Sequence, residues 1–319
     1  MRSMVLISGA TGGLGKAFAV ESARRGWDLY LTDLNEVRLE TLAAALRRTY
    51  GVNVVHTACD LMDGDSRTDL FMELRQSPFR FKGLVNVAGL DFEGAFQERA
   101  RDQIRAILRL NVEGTLELTH VALQLMDPMQ TFWIVTVSSM AAFFPIPVKA
   151  TYAASKRFLL DFFLALRDEV EKQGATVTVL CPAGLPTTES TVAGIEAQGW
   201  MGQATTMNIG QVAAQTLDQA LRGRAVVVPG LLNQVMVRLG GLIPPVTLTR
   251  LLGKRWRAAR QNRADLMASV GRAVADSAPE TASAVPTPFA QIHGPVYTIP
   301  VVHTRHPNAL SRTAFPETP

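Results

Sequence analysis

The sequence predicts an α/β fold: a doubly wound parallel sheet in a single domain, followed by a C-terminal extension. Three observations predict it. Short apolar runs alternate with amphipathic helical patterns through the first half of the chain, the arrangement of βαβ units. The predicted strands are apolar at nearly every position, as needed when helices cover both faces of a sheet. The 319 residues, 47% hydrophobic and 19% charged, suffice for one sizeable core and exclude wholesale disorder.

The elements follow in order. Val5–Ser8 is the first strand, and Leu14–Arg25 a helix closed by Gly26. Asp28–Thr32 is the second strand. Glu36–Arg48 reads as a helix because Val37, Leu39, Leu42, Ala45 and Leu46 recur at helical spacing. Val52–Thr57, Gly83–Asn86, Phe132–Val137 and Thr176–Leu180 continue the strands, with helices at Arg67–Arg75, Ile104–Met126 and Tyr152–Glu171 between them. Val226-Val227-Val228-Pro229-Gly230 reads as a seventh strand. Thr187–Gln203, rich in Thr, Ala and Gly, reads as a loop or short-helix lid. The expected division is a catalytic domain over 1–230, an apolar then basic helical extension over 231–274, and a Pro/Ala/Ser/Thr-rich tail over 275–319, disordered or draped on the surface.

Composition excludes several classes. Cys59 and Cys181 cannot make a disulfide framework and read as buried reduced thiols. A net charge of +4 does not imply a nucleic-acid partner, and none is expected. Met4-Val5-Leu6-Ile7 is too short for a signal sequence, and no uninterrupted apolar run reaches the roughly 18 residues of a spanning helix, so the cytoplasm is the expected location. His56, His120, His293, His303 and His306 lie outside the predicted site, and no metal site is expected.

Chemistry enters at Ser8-Gly9-Ala10-Thr11-Gly12-Gly13-Leu14-Gly15, between the first strand and the first helix. Glycines there permit tight turns and close backbone approach to a pyrophosphate, and the helix N-terminus adds N–H donors and a positive dipole end. Asp33 ends the second strand. A carboxylate there accepts from both ribose hydroxyls and repels a 2′-phosphate, so NAD is favoured over NADP. The competing reading makes Asp33 or Asn35 the N-cap of the next helix. Lys16 and Arg38 are the nearest cations that could instead meet a 2′-phosphate.

Together with later motifs, these residues resemble the classical short-chain dehydrogenase/reductase family over about residues 3–230. Gly9, Gly13 and Gly15 match its TGxxxGxG pattern, with Ser8 for Thr; the Gly9, Gly12, Gly15 spacing also fits the extended branch. Asn86-Val87-Ala88-Gly89 is similar to NNAG, and Asn111 stands where the family has its helix asparagine. Ser139, Tyr152 and Lys156 reproduce the serine and YxxxK, with the 13-residue serine-to-tyrosine gap of the classical branch. Cys181–Thr187 resembles the segment after the sixth strand, with Ala183 replacing a glycine.

The resemblance implies a Rossmann-type fold and a homo-oligomer joined through the Ile104–Met126 and Tyr152–Glu171 helices. It implies a dinucleotide held by Gly9, Thr11, Gly12, Gly13, Leu14, Gly15, Asp33, Asn86, Ala88, Gly89, Pro182, Gly184, Leu185 and Thr187, with Asp60 at the adenine amine and Leu61 beside its ring. It implies Asn111, Ser139, Tyr152 and Lys156 as the catalytic set. Tyr152 and Lys156 share a helical face. Lys156 is expected to lower the phenol pKa and hold the nicotinamide ribose, Ser139 to bond the substrate oxygen, and Asn111 to hold a water-borne proton relay.

Leu90, Phe92, Met140, Phe143, Phe144 and Trp200 form an apolar set at the C-terminal ends of strands, where ligands bind in such sheets. They suit a hydrophobic secondary alcohol or ketone: a hydroxysteroid or a 3-oxoacyl thioester. Ordinary loop packing explains them equally simply. Two rivals stand: an extended-branch epimerase or dehydratase on nucleotide sugars, and a non-enzymatic NAD-sensing module. The segment after 231 admits an interface or lid, core packing, or shallow attachment to an anionic membrane, the first being preferred.

Overall fold

The computed structural model describes residues 2–186 and 206–254. The chain divides into two compact units, Met1–Ser269 and Val270–Pro319. All described residues belong to the first. Thr187, Trp200 and the 275–319 tail lie outside them.

The strands are β1 (Arg2–Ser8), β2 (Asp28–Asp33), β3 (Val54–Ala58), β4 (Phe79–Asn86), β5 (Phe132–Val137), β6 (Ala175–Leu180) and β7 (Val226–Val227). They form one parallel sheet in the order β3-β2-β1-β4-β5-β6-β7. The helices are α1 (Gly13–Arg24), α2 (Glu36–Tyr50), α3 (Gly64–Gln76), α4 (Arg101–Leu108), α5 (Thr115–Gln124), α6 (Ala150–Glu171), α7 (Ile209–Leu221) and α8 (Leu231–Gly240).

Strand alternation divides the core into two layers. Met4, Leu6 and Ile134 point to one face, where α3, α5 and α6 contribute Leu70, Leu118, Leu159 and Phe163. Val5, Ile7, Trp133 and Val135 point to the other, met by Phe18 of α1, Leu39 and Ala43 of α2, and Val212 and Leu217 of α7. Both faces are covered, which is why the strands read as continuous apolar runs.

The crossover from β3 to β4 passes beyond β2 and β1, so the winding reverses between β1 and β4. At that switch point the strand ends open a crevice, and Ser8 lies opposite Asn86 there. The one helix expected over Ile104–Met126 is not continuous. It begins at Arg101 and is interrupted by a π-helical turn at Arg109–Gly114. Its apolar spacing suits α-helix and π-turn alike, so the interruption left no periodic mark.

Candidate active site

The loop after β1 is built by two close approaches. Gly9 has φ +65°, and a Cβ there would lie 2.7 Å from the Ala88 amide nitrogen. A Cβ on Gly15 would lie 2.0 Å from the Gly9 carbonyl oxygen, so α1 packs on the loop backbone itself. Gly12 is the N-cap of α1 and donates its N–H to the Gly9 carbonyl at 3.2 Å. No side chain caps α1, and its first turn holds no acidic residue. Its N-terminal N–H groups at Gly13 and Leu14 therefore favour an anion such as a pyrophosphate.

Asp33 faces the same loop. One carboxylate oxygen accepts from the Thr11 amide at 2.8 Å and the Thr11 hydroxyl at 2.9 Å; the other accepts from the Leu34 amide at 2.7 Å. The N-cap reading falls to Asn35, whose side chain accepts from the Arg38 amide at 2.9 Å. Lys16 and Arg38 are both exposed. The donor set fits a dinucleotide: uncapped amides for phosphate, a carboxylate at the second strand for ribose hydroxyls.

Asp60 accepts from the Met62 amide at 2.9 Å, which fixes the turn after β3. Leu61 is buried in the core, and its carbonyl accepts from Arg67 at 2.9 Å. Arg67, itself buried, also bonds Glu113 in the π-turn and Glu117 in α5 at 2.7 Å. Asn86 donates to the hydroxyls of Thr119 at 2.9 Å and Thr136 at 3.3 Å, which ties β4 to α5 and β5. A Cβ on Gly89 would sit 3.2 Å from Asn111 Oδ1 and 3.3 Å from Lys156 Nζ, so this glycine borders both groups. Pro182 accepts from the Met140 amide at 2.9 Å. Gly184 is exposed and Leu185 half-buried against the α1 layer.

Asn111 is fully buried in the π-turn. Its Oδ1 accepts from the Leu90 amide at 2.7 Å, and its Nδ2 donates to the Leu90 carbonyl at 3.0 Å and to Ser155 Oγ at 3.1 Å. The side chain thus pins the loop after β4 to α6. Ser139 caps a 3-10 turn, Met140–Phe143, by accepting from the Ala141 amide at 3.1 Å. It also acts on the Tyr152 phenol, whose pKa it lowers. Lys156 is buried one helical turn along α6; its Nζ donates to the Val137 carbonyl at 2.9 Å and lies 5.8 Å from the Tyr152 ring centroid.

The expected lowering of the Tyr152 phenol pKa draws on Lys156 and on the positive charge of oxidised nicotinamide. Among the protein's own groups, burial pushes the phenol up to about 12, Asp91 pushes the same way, and Ser139 opposes them. Burial draws Lys156 down to about 8, against the pull of Asp91. The ammonium is directed at a strand carbonyl. The site as built therefore presents a protonated tyrosine, a proton donor at neutral pH.

The sequence reading missed a second cation at the phenol. Lys149 Nζ is also 5.8 Å from the Tyr152 centroid, and it bonds Asp91 at 2.5 Å with Glu93 at 3.5 Å. It is carried there by Val148, a β-branched residue at φ +64°, whose carbonyl accepts from the Gly94 amide at 2.8 Å. A lysine three residues before Tyr152 was the available signal; nothing local announced Asp91.

The apolar set divides. Leu90 and Phe92 lie in the loop after β4, half-buried, with the Arg99 guanidinium 5.9 Å from the Phe92 ring. Met140 is buried. Phe143 packs against the core layer of α5 and α6, and Phe144 lies against Gly240 of α8, where a Cβ would be 2.4 Å from the ring. Those two are structural before they are lining. The two cysteines are buried free thiols, as expected, and burial raises both pKa values. Among the described residues no group of His, Cys, Asp and Glu forms a metal site.

The family profile described as short chain dehydrogenase matches residues 3–197. A very-long-chain 3-oxoacyl-CoA reductase from Laccaria bicolor is 30% identical over 174 residues, 54% of this chain and 52% of that protein. The match thus spans about half the length of that relative. A sulfoacetaldehyde reductase from Chromohalobacter salexigens is 34% identical over 194 residues, 60% of this chain and 76% of that protein. Among solved structures, a short-chain dehydrogenase from Sphingobium yanoikuyae in complex with NADPH aligns with a TM-score of 0.64 and 26% identity, over 88% of this chain and 98% of that one.

Proposed function

The chain belongs to the short-chain dehydrogenase family, and from that premise we propose that it interconverts a hydrophobic secondary alcohol and its ketone. The observation that carries this reading is that α6 sets Tyr152 and the buried Lys156 one turn apart, with Lys156 bonded to Val137 at the end of β5, beside the turn that Ser139 caps. Ser139 orients the substrate oxygen. Tyr152 gives its proton to that oxygen during ketone reduction and recovers it during alcohol oxidation. Lys156 holds the nicotinamide ribose. Asn111 keeps the loop after β4 against α6, so Gly89 and Leu90 flank the reacting edge.

The amides at Gly13 and Leu14 hold the pyrophosphate at the turn made by Gly12, and Asp33 meets the adenosine ribose. Asp60 and the turn it fixes meet the adenine, while Pro182, Gly184 and Leu185 border the nicotinamide side. When bound, the nicotinamide dinucleotide supplies the hydride chemistry and the protein supplies orientation and proton movement. NAD is the favoured form, because a 2′-phosphate beside Asp33 meets a carboxylate rather than a cation.

For the substrate, Leu90, Phe92 and Met140 support an apolar compound, a 3-oxoacyl thioester or a hydroxysteroid. Asp91 and Glu93 at the same rim are matched by Lys149 and Arg99, so the apolar lining, not charge, is what favours these compounds over the sulfonate for which a relative is named. The fold divides by this reading into a catalytic domain over 1–230 and an extension over 231–274. Exposed Leu108, Phe158 and Leu164 on α4 and α6 support self-association there.

Turnover of NADH with a panel of 3-oxoacyl thioesters, ketosteroids and sulfoacetaldehyde tests the proposal in wild type and Ser139→Ala. The expected result is turnover of the apolar ketones, with a loss of about a hundredfold in the variant at unchanged cofactor affinity. Turnover of sulfoacetaldehyde alone overturns the substrate class; equal rates in both proteins overturn the mechanism.

A further inference from the structure

We propose that the segment beginning at α8 is a docking surface for an anionic lipid membrane. Its chemistry is inverted relative to a packed helix. The buried side chain of α8 is Asn233, whose amide donates to the Pro229 carbonyl at 2.8 Å. The leucines point the other way: Leu231 is 81% and Leu242 80% exposed, with Leu232, Val235, Leu239 and Val246 also exposed. Leu231, Val235 and Leu239 recur at four-residue spacing and so follow one stripe along α8, and Leu242 and Val246 are exposed in the turn and the helical turns that follow it. Leu248 is buried, while the stripe on α8 faces outward.

Charge selects the occupant. Residues 219–264 contain nine Lys and Arg and no Asp or Glu, against a net charge of +4 for the whole chain. Arg238, Arg250 and Lys254 are exposed beside the apolar stripe. A two-fold contact between copies would set this wholly cationic stretch against itself. A lid would turn its apolar face toward the fold, and α8 turns Asn233 and Gly240 there instead. An anionic lipid surface satisfies both properties: acyl chains accept the leucine stripe and headgroups accept the cations. No described helix is long and apolar enough to cross a membrane, so the contact is shallow. Phe144 against Gly240 joins this surface to the turn after Ser139. The inference does not rest on the proposed activity, because binding to vesicles needs no turnover.

The test is co-sedimentation of the full chain with vesicles of phosphatidylcholine alone and of phosphatidylcholine with phosphatidylserine. The expected result is binding to the phosphatidylserine vesicles only, weakened by salt. Arg250→Glu with Lys254→Glu lowers that affinity by at least about tenfold. Leu239→Asp with Leu242→Asp lowers it comparably, and Met129→Asp, an exposed position elsewhere, leaves it unchanged. The charge pair keeps the test valid should the leucine pair fail to fold. Absence of binding to phosphatidylserine vesicles, equal binding by the charge-reversed and wild-type chains, or a leucine variant that changes oligomer size without changing vesicle binding overturns the proposal.

Discussion

The edge around Tyr152 and the surface of α8 lie on either side of one short turn, Met140–Phe143, yet they obey opposite rules. At the first, polar groups are buried and tied down. Asn111 spends its amide on Leu90 and Ser155, Lys156 donates to Val137, and Ser138 Oγ donates to the Lys156 carbonyl at 2.7 Å. At the second, apolar groups are exposed and an asparagine is inside. Buried polar atoms with fixed partners hold reacting groups in one geometry and let burial move their pKa values. Exposed apolar stripes hold nothing in place by themselves and mark where something else is met.

Substitutions that break the buried side carry the largest effects. Gly15→Ala drives a methyl group against the Gly9 carbonyl, which is backbone and cannot swing aside. The expected cost is about 3 kcal/mol of stability, with loss of dinucleotide binding, measured by chemical unfolding and by titration calorimetry with NAD. Arg67→Met removes the brace between Leu61, the π-turn and α5. Because Glu113 and Glu117 are about half exposed, the ion pairs contribute little; the stranded Leu61 carbonyl dominates, at about 1–3 kcal/mol by urea unfolding.

A pH titration sharpens the contrast. Lys156 sits near 8 in the folded protein against an ordinary 10.5, so between those values the unfolded chain holds more protons. The Lys156 contribution to stability therefore rises with pH from about 8 toward 10, opposed from about 9 upward by the raised Cys59 and Cys181 thiols, so it is read as the difference between wild type and variant. Lys156→Met flattens that rise, and an unchanged pH slope refutes burial as the cause. The smallest effect belongs to the exposed side. Leu231→Lys changes unfolding free energy by no more than about 0.5 kcal/mol, because the residue already faces out.

The same contrast governs what was legible in the residues. Gly9, Gly15, Asp33 and the Ser139–Tyr152–Lys156 spacing were readable because local chain geometry places them: a strand-to-helix turn, a strand end, one helical face. Asn111 was readable by position, but the π-turn holding it was not, since the apolar pattern of 101–124 continues through it. Asp91 with Lys149 required knowing that the loop after β4 folds over the start of α6. Phe143 and Phe144 read as lining because their composition is apolar; their partners in the core and at Gly240 come from distant elements. The composition of the extension after 231 announced an apolar segment and said nothing of which way its residues turn.

The central claim is that the Tyr152 phenol carries the proton. Single-turnover oxidation and reduction by wild type and Tyr152→Phe, with cofactor affinity measured in parallel, tests it most directly. The account predicts a fall of about 10²–10⁴-fold in both directions at unchanged cofactor affinity. A variant that turns over at the wild-type rate contradicts it.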